Sequence, residues 1–329
     1  MNTITTRRSA LKATLAAAGI GLLAAPAWAQ ATWPSQPVKL VVPFTAGSGT
    51  DVVARTLADP LARALGQPVI TENKPGAGGT LGAAQVAAAP ADGYTVLIHS
   101  AAHVANASLY PKLRYDTLKD FTPVNLLATL PNVLVTSPGK DFKSVQDLVR
   151  KARAEPGKYM YGSAGNGSAT HLNAEKFRAA AGIEAVHVPF KGTPEALSEV
   201  IAGRLDWFFA PQVSALPLIK DGKLVPLAVG TPRRSAALPE VPTTVEAGIA
   251  QSDYTFWVGM FVPAMTPPAV VARLHDETSR ILQNETVRER LRNLGAEIAP
   301  MPQPEFAALV RTEATGAAAL IRKANIRVD

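Results

Sequence analysis

The sequence predicts an α/β protein of two domains, each a mainly parallel sheet flanked by helices, and three observations carry that expectation. Short β-branched or apolar runs alternate with longer alanine-rich stretches, the pattern of parallel strands linked by helices. Beyond an N-terminal leader about 300 residues remain, more than one core usually holds. Glycine-rich turns follow several of the apolar runs, where strand-to-helix connections need a permissive backbone.

The leader comes first. Arg7, Arg8 and Lys12 precede an apolar run over residues 13–25, and the small-residue site Ala27-Trp28-Ala29 precedes Gln30. That order is the layout of a cleavable export signal spanning residues 1–29, and the apolar run falls short of the roughly 20 residues a bilayer span takes. The string from Thr6 to Lys12 is also similar to a twin-arginine signal, with Ala10 where a bulky apolar residue is usual, so either export route fits. The expected product is a soluble periplasmic chain cleaved near Ala29-Gln30. With the three leader bases removed, 30 basic residues face 26 acidic ones, a formal net charge of +4. The bases are scattered, whereas a nucleic-acid footprint is a concentrated stripe, so no nucleic-acid partner is expected. The chain has no cysteine, which removes thiol nucleophiles, iron–sulfur clusters and cysteine-bound zinc.

In the mature chain, residues 38–42 predict a strand, 51–65 a helix, 69–71 a strand, 79–88 a helix and 95–98 a strand. A second series begins at 133–135, with a helix at 144–154, a strand at 159–161 and a helix at 169–180. Strands at 185–188, 207–209 and 227–229 follow, with a helix at 194–202 between the first two. After a strand at 258–262 the pattern turns purely helical, over 267–283, 286–294 and 304–324. Proline stands at or beside the first and last of those starts, where its missing N–H costs nothing.

Three glycine loops stand out: residues 43–51, 73–79 and 162–171. Each sits between a predicted strand and a predicted helix, so each combines close backbone approach with the partial positive charge of a helix start. Such a place binds anions without a lysine or arginine. Glycines also make tight turns in any α/β protein, but three such loops shared between the two halves point to an anion held between them, at the carboxyl ends of strands. No phosphate-loop signature occurs and no loop has the dinucleotide spacing, which leaves a carboxylate as the simplest guest. No cofactor motif is present. Enzyme signatures fail as well, since there is neither a zincin H-E-x-x-H nor a nucleophile elbow. His99 and His103 would form an i, i+4 metal pair only on one helix, and His99 ends a predicted strand, so no metal site is expected. Ser163 or Ser168 with His171 as base would make a hydrolase, but no acidic partner for His171 is evident. Helix capping by those hydroxyls is the simpler reading.

The loops in this order resemble the substrate-binding proteins of tripartite tricarboxylate transporters, also called the Bug family. The resemblance runs from Trp33 to the C-terminus. It is carried by Pro43-Phe44-x-Ala46-Gly47 with Asp51, by Glu72-Asn73-Lys74-Pro75-Gly76-Ala77-Gly78-Gly79 and by Asp92-Gly93-Tyr94-Thr95. Asp120-Phe121-Thr122-Pro123-Val124, Gly162-Ser163-Ala164-Gly165 with His171-Leu172, and Val188-Pro189-Phe190-Lys191-Gly192 extend it. It implies a two-domain Venus flytrap of the type II periplasmic-binding fold, with residues 30–130 plus 255–329 as one domain and 131–254 as the other. It further implies a non-enzymatic solute receptor that passes a small carboxylic acid to the permease subunits of a tripartite tricarboxylate transporter. A ligand sensor serving a membrane kinase is the neighbouring alternative. The ligand contacts implied are Phe44, Gly47, Ser48, Gly78 and Gly79 from the first domain. From the second they are Ala164, Gly165, Ser168, Thr170, Phe190 and Gly192. Two positions depart from the family pattern: Ser48 stands where many relatives have a second glycine, and Ala210 where many have an acid. The second departure leans the expected ligand away from amino acids, because an ammonium group would lack a partner.

Overall fold

A computed structural model describes residues 33–298, 300–323 and 326–327, so the leader read at 1–29 lies outside the described residues. Residues 36–329 cluster as one unit. Its first strands and helices alternate as β1 (Val38–Val42), α1 (Gly49–Leu65), β2 (Val69–Asn73), α2 (Thr80–Ala87) and β3 (Thr95–Ser100). Then come α3 (Ala102–Leu109) and β4 (Phe121–Thr129). Immediately afterwards a second series opens with β5 (Asn132–Thr136), α4 (Val145–Ala154), β6 (Met160–Ser163) and α5 (Ala169–Ala181). It continues through β7 (Val186–Pro189), α6 (Thr193–Ile201), β8 (Trp207–Pro211), α7 (Gln212–Lys220) and β9 (Val225–Val229). The chain returns with β10 (Trp257–Pro263) and finishes in α8 (Pro268–Gln283), α9 (Glu285–Asn293) and α10 (Gln303–Lys323).

The strands form two five-stranded sheets of the same plan, ordered β2-β1-β3-β10-β4 and β7-β6-β8-β5-β9. In the first, β1 pairs in parallel with β2 and β3, while β10 is antiparallel to β3 and β4. In the second, β6 pairs in parallel with β7 and β8, while β5 is antiparallel to β8 and β9. The sheets are therefore mixed, although four strands of each point one way. The single reversed strand is in both cases the one by which the chain enters from the other sheet. The chain arrives at the end where the other strands finish, so its first strand must run back. The two crossing segments are tied together, with the Leu130 N–H donating to the Phe256 carbonyl at 2.7 Å.

Period-two alternation places the cores. On β8, Trp207 and Phe209 pack into the cluster with Leu134 and Phe177, while Phe208 and Ala210 face the cluster with Val133 and Leu197. The first sheet buries Val41, Leu97, Trp257 and Phe261 with Phe306 of α10. Local signals end and start the helices as expected. Gly66 closes α1 at φ 69°, and the Ser144 and Asn284 side chains accept from the first-turn N–H groups of α4 and α9. Three elements went unpredicted, namely α3, β4 and α7.

Candidate functional site

The starts of α1, α5 and α6 converge on one small cavity of about 10 Å³. It is lined by Ser48, Gly49 and Thr50 at the first helix, Ser168, Ala169 and Thr170 at the second, and Thr193 at the third. Phe44, Ser100, Ala164, Pro211 and Phe256 complete the wall. No lysine, arginine, aspartate or glutamate lines it. Helix starts leave backbone N–H groups without intrahelical partners and carry partial positive charge, so three of them together make a neutral-walled anion site. A volume of this size holds about one water, so a carboxylic acid enters only if the walls part.

The first loop is held by a buried carboxylate. Asp51, 1% exposed, accepts from the Gly47 N–H at 2.8 Å, from Asn73 Nδ2 at 2.8 Å and from Arg55 Nε at 2.9–3.0 Å through both oxygens. Asn73 also donates to the Phe44 carbonyl at 2.9 Å and accepts from Arg55 at 2.9 Å, which ties the first loop to the end of β2. The Gly47 N–H is thus already engaged, and Gly47 shapes the turn at φ 83° rather than offering a free donor. Asp51→Ala leaves that N–H and the guanidinium without their partner. It is expected to cost about 2–4 kcal/mol of stability by urea unfolding, together with most ligand affinity. A midpoint within error of wild type would show that the network does not hold the loop.

Ser48 does something its place in the sequence does not announce. It stands at the start of α1 but makes no cap bond to its own helix. Its hydroxyl instead accepts from the Thr193 N–H, the first of α6, at 3.1 Å. The serine oxygen therefore occupies a donor that an anion would otherwise take. Thr45 Oγ1 donates to Glu195 at 3.0 Å and Ser214 Oγ to the Gly47 carbonyl at 3.0 Å, so the first loop is stitched to α6 and α7.

The second loop has positive φ at four consecutive residues, Gly76, Ala77, Gly78 and Gly79. Its backbone lies against the third loop, so that a Cβ on Gly78 would overlap the Asn166 carbonyl oxygen. Gly79 packs against the buried His99 ring, which meets Phe44 edge-on at 5.5 Å. The Asn106 side chain donates to the Gly78 carbonyl at 3.0 Å, and the Tyr110 hydroxyl donates across to Asn166 at 2.8 Å.

In the third loop most donors are satisfied from within. Ala164 N–H donates to Thr170 Oγ1 at 2.9 Å, Gly165 N–H to Ser163 Oγ at 3.0 Å and Gly167 N–H to His171 Nδ1 at 3.1 Å. Ser168 caps α5 by accepting from the His171 N–H at 3.3 Å. The serine–histidine pairing considered from sequence is therefore not the one that forms. Ser163 is fully buried and meets His187 Nε2 at 2.7 Å, while the His171 ring stacks on His187 at 4.0 Å. Behind the stack, Glu175 is clamped by Arg178 at 2.8–3.1 Å and by the Tyr161 hydroxyl. Burial pushes His171 down to about 4 and His187 down to about 3. His99 and His103 sit on a strand and a helix with ring centroids 5.1 Å apart, and both are pushed down by burial. Among the described residues no group of three or more metal-ligating side chains assembles.

Of the residues expected at the site, Phe44, Ser48, Ala164, Ser168 and Thr170 line the cavity. Gly47, Gly78, Gly79, Gly165, Phe190 and Gly192 are not among its lining residues and lie in the surrounding loops. There a Cβ on Gly165 would lie 3.0 Å from the Phe190 carbonyl, and one on Gly192 would overlap Thr45 Oγ1. Gly192 is extended, at φ −172°, so crowding rather than backbone conformation is what favours glycine there. Gly49, Thr50, Ser100, Ala169, Thr193, Pro211 and Phe256 also line the cavity and were missed. Ser100 and Pro211 end strands, and the rule that ligands gather at carboxyl ends of strands is the signal that points to them. Ala210 faces the core beside Val133 rather than the cavity, so the missing acid there does not itself set the ligand's charge. No carboxylate lines the cavity wall.

Two mixed sheets with the chain crossing between them, and three helix starts gathered on one cavity, are the plan of a solute-binding fold. A family model described as "Tripartite tricarboxylate transporter family receptor" matches residues 53–326, and the chain belongs to that family of solute-binding receptors, which are not enzymes. Protein BugT of Bordetella pertussis is 34% identical over 284 residues, covering 86% of each chain. Among solved structures, Rpa4515 of R. palustris with adipate superposes with a TM-score of 0.87 at 34% identity, covering 90% of this chain and 99% of that one. MatC from Rhodopseudomonas palustris with bound malate gives 0.84 at 34% identity, covering 88% and 99%. Among the described residues no helix is long and apolar enough to cross a membrane.

Proposed function

We propose that this receptor is exported, loses residues 1–29, captures a small organic carboxylate without an ammonium group and delivers it to the membrane subunits of a tripartite tricarboxylate transporter. The observation that carries the ligand class is the convergence of three helix starts on a cavity with no charged side chain. Backbone N–H groups and hydroxyls satisfy a carboxylate there, whereas an ammonium group meets no counter-charge. The adipate and malate held by two relatives are ligands of the same kind. Residues 30–130 with 255–329 act as one jaw and 131–254 as the other. The loops of the two jaws touch around a cavity of about 10 Å³. Binding therefore requires opening, entry and reclosure, with the ligand favouring the closed state through donors from both jaws. On entry its carboxylate replaces the Ser48 hydroxyl on the Thr193 N–H.

Thermal-shift titration of residues 30–329 with adipate, malate, aspartate and glutamate tests this. A dicarboxylate at 100 times its dissociation constant is expected to add about 2.7 kcal/mol and raise the melting midpoint by a few degrees. Stereospecific stabilisation by aspartate or glutamate alone would sink the ligand class.

A further inference from the structure

A cavity far larger than the one at the loops lies elsewhere. A groove of about 850 Å³ runs between α1, α8 and α9, and five arginines border it: Arg55 and Arg63 from α1, Arg273 and Arg280 from α8, and Arg290 from α9. Asp59 and Glu277 are the only carboxylates among its lining residues, and Asp51 just outside holds Arg55, which leaves a local excess of two positive charges in a mature chain whose net charge is +4. Thr56, Ile281 and Val287 are buried beneath it and give it a firm floor.

The arginines are not equally committed. Glu277, 3% exposed, binds Arg273 at 3.1 Å and also pairs with Arg280, and Arg55 is held by Asp51. Arg63 and Arg290 are exposed and have no ion-pair partner among the described residues. The buried Glu277 thus fans two guanidinium groups along one wall, and two unspent guanidinium groups complete the others. The cleft lies at the far end of the same helix, since Thr50 and Arg63 are separated by about 20 Å of helix rise.

We infer that this groove is a docking site for an acidic segment of a protein partner, rich in aspartate and glutamate. Small-molecule pockets are enclosed and largely apolar, with few polar groups. Here exposed arginines are spread over three helices, a layout that suits carboxylates spaced along a chain, each met by a planar two-donor fork. The proposal stands apart from the cleft and does not rest on the ligand assigned to it.

The test uses residues 30–329 and a fluorescein-labelled octapeptide of alternating glutamate and serine, followed by anisotropy at about 50 mM salt, where exposed charges are weakly screened. Saturable binding is expected, weakened by about tenfold or more in Arg63→Glu/Arg290→Glu. The control Lys220→Glu/Lys223→Glu removes the same charge from α7 and its following turn and should bind as wild type does. Equal loss in both double variants, no peptide binding, or binding only to phosphatidylglycerol vesicles would each overturn the proposal. Adipate thermal shifts run on the same variants report folding and the cleft separately, so failure of one reading is distinguishable from failure of the other.

Discussion

Gly78→Ala is expected to lower carboxylate affinity by about a hundredfold, whereas Gly66→Ala leaves it unchanged. The two glycines have nearly the same backbone, at φ 60° and 69°, so alanine imposes similar left-handed strain at both, about 1–2 kcal/mol. They differ in what a new Cβ meets. At Gly66 nothing lies within 4 Å, but at Gly78 the methyl would overlap the carbonyl oxygen of Asn166. That oxygen belongs to the backbone of the opposing loop and already accepts from the Tyr110 hydroxyl, so it yields only if the two loops separate. On the proposed jaw motion, the overlap exists only in the closed state. The variant therefore folds like the Gly66 control but starts from an open population, and a ligand must spend its differential affinity on closing. Calorimetric titration of both variants with the best carboxylate from the thermal-shift series is the measurement. Wild-type affinity in Gly78→Ala would mean that the closed contact between the loops plays no part in binding.

The glycine loops were legible because their chemistry is local. A glycine run between an apolar strand and a helix marks a close approach whatever surrounds it, which picked out the three loops, while the individual contacts within them came from the family resemblance. Other features depend on tertiary neighbours. Helix α3 is buried over most of its length and has no side-chain cap, so neither periodicity nor a start signal marked it. Strand β4 contains Pro123, which a strand tolerates at a sheet edge, and β4 ends its sheet beside β10. Helix α7 carries Pro217 within it. The reversed strand in each sheet follows from the direction in which the chain arrives, which composition does not encode. Ser48 shows the same limit at the site. Its departure from the family pattern was visible, but only the folded chain puts its hydroxyl on the first N–H of α6 rather than on its own helix.

A second large effect is expected from acid. His99, His103, His171 and His187 are all pushed below the ordinary histidine value, and burial is the leading cause for each. For His171 burial is opposed by Glu175 and helped by Arg178, and for His187 it is helped by both His171 and Arg178. A histidine held neutral in the fold takes up its proton more readily when unfolded. Its contribution is therefore complete above pH about 6.5 and is lost as pH falls from there toward the folded values of about 4 and about 3. The carboxylates with lowered values, Glu175 among them, lose their contribution only below the ordinary glutamate value of 4.5. Glu313, raised by burial, works in the opposite sense. The window between pH 6.5 and 4.5 thus belongs mainly to the histidines. His171→Asn keeps an acceptor near the Gly167 N–H, and His187→Gln keeps one near Ser163 Oγ, so the pair of substitutions removes titration while sparing the loop bonds. Melting midpoints of wild type should fall steeply across that window, and those of the double variant about half as far, since His99 and His103 remain. An identical fall in both proteins would show that the stacked pair behind the third loop does not carry its share of the acid response.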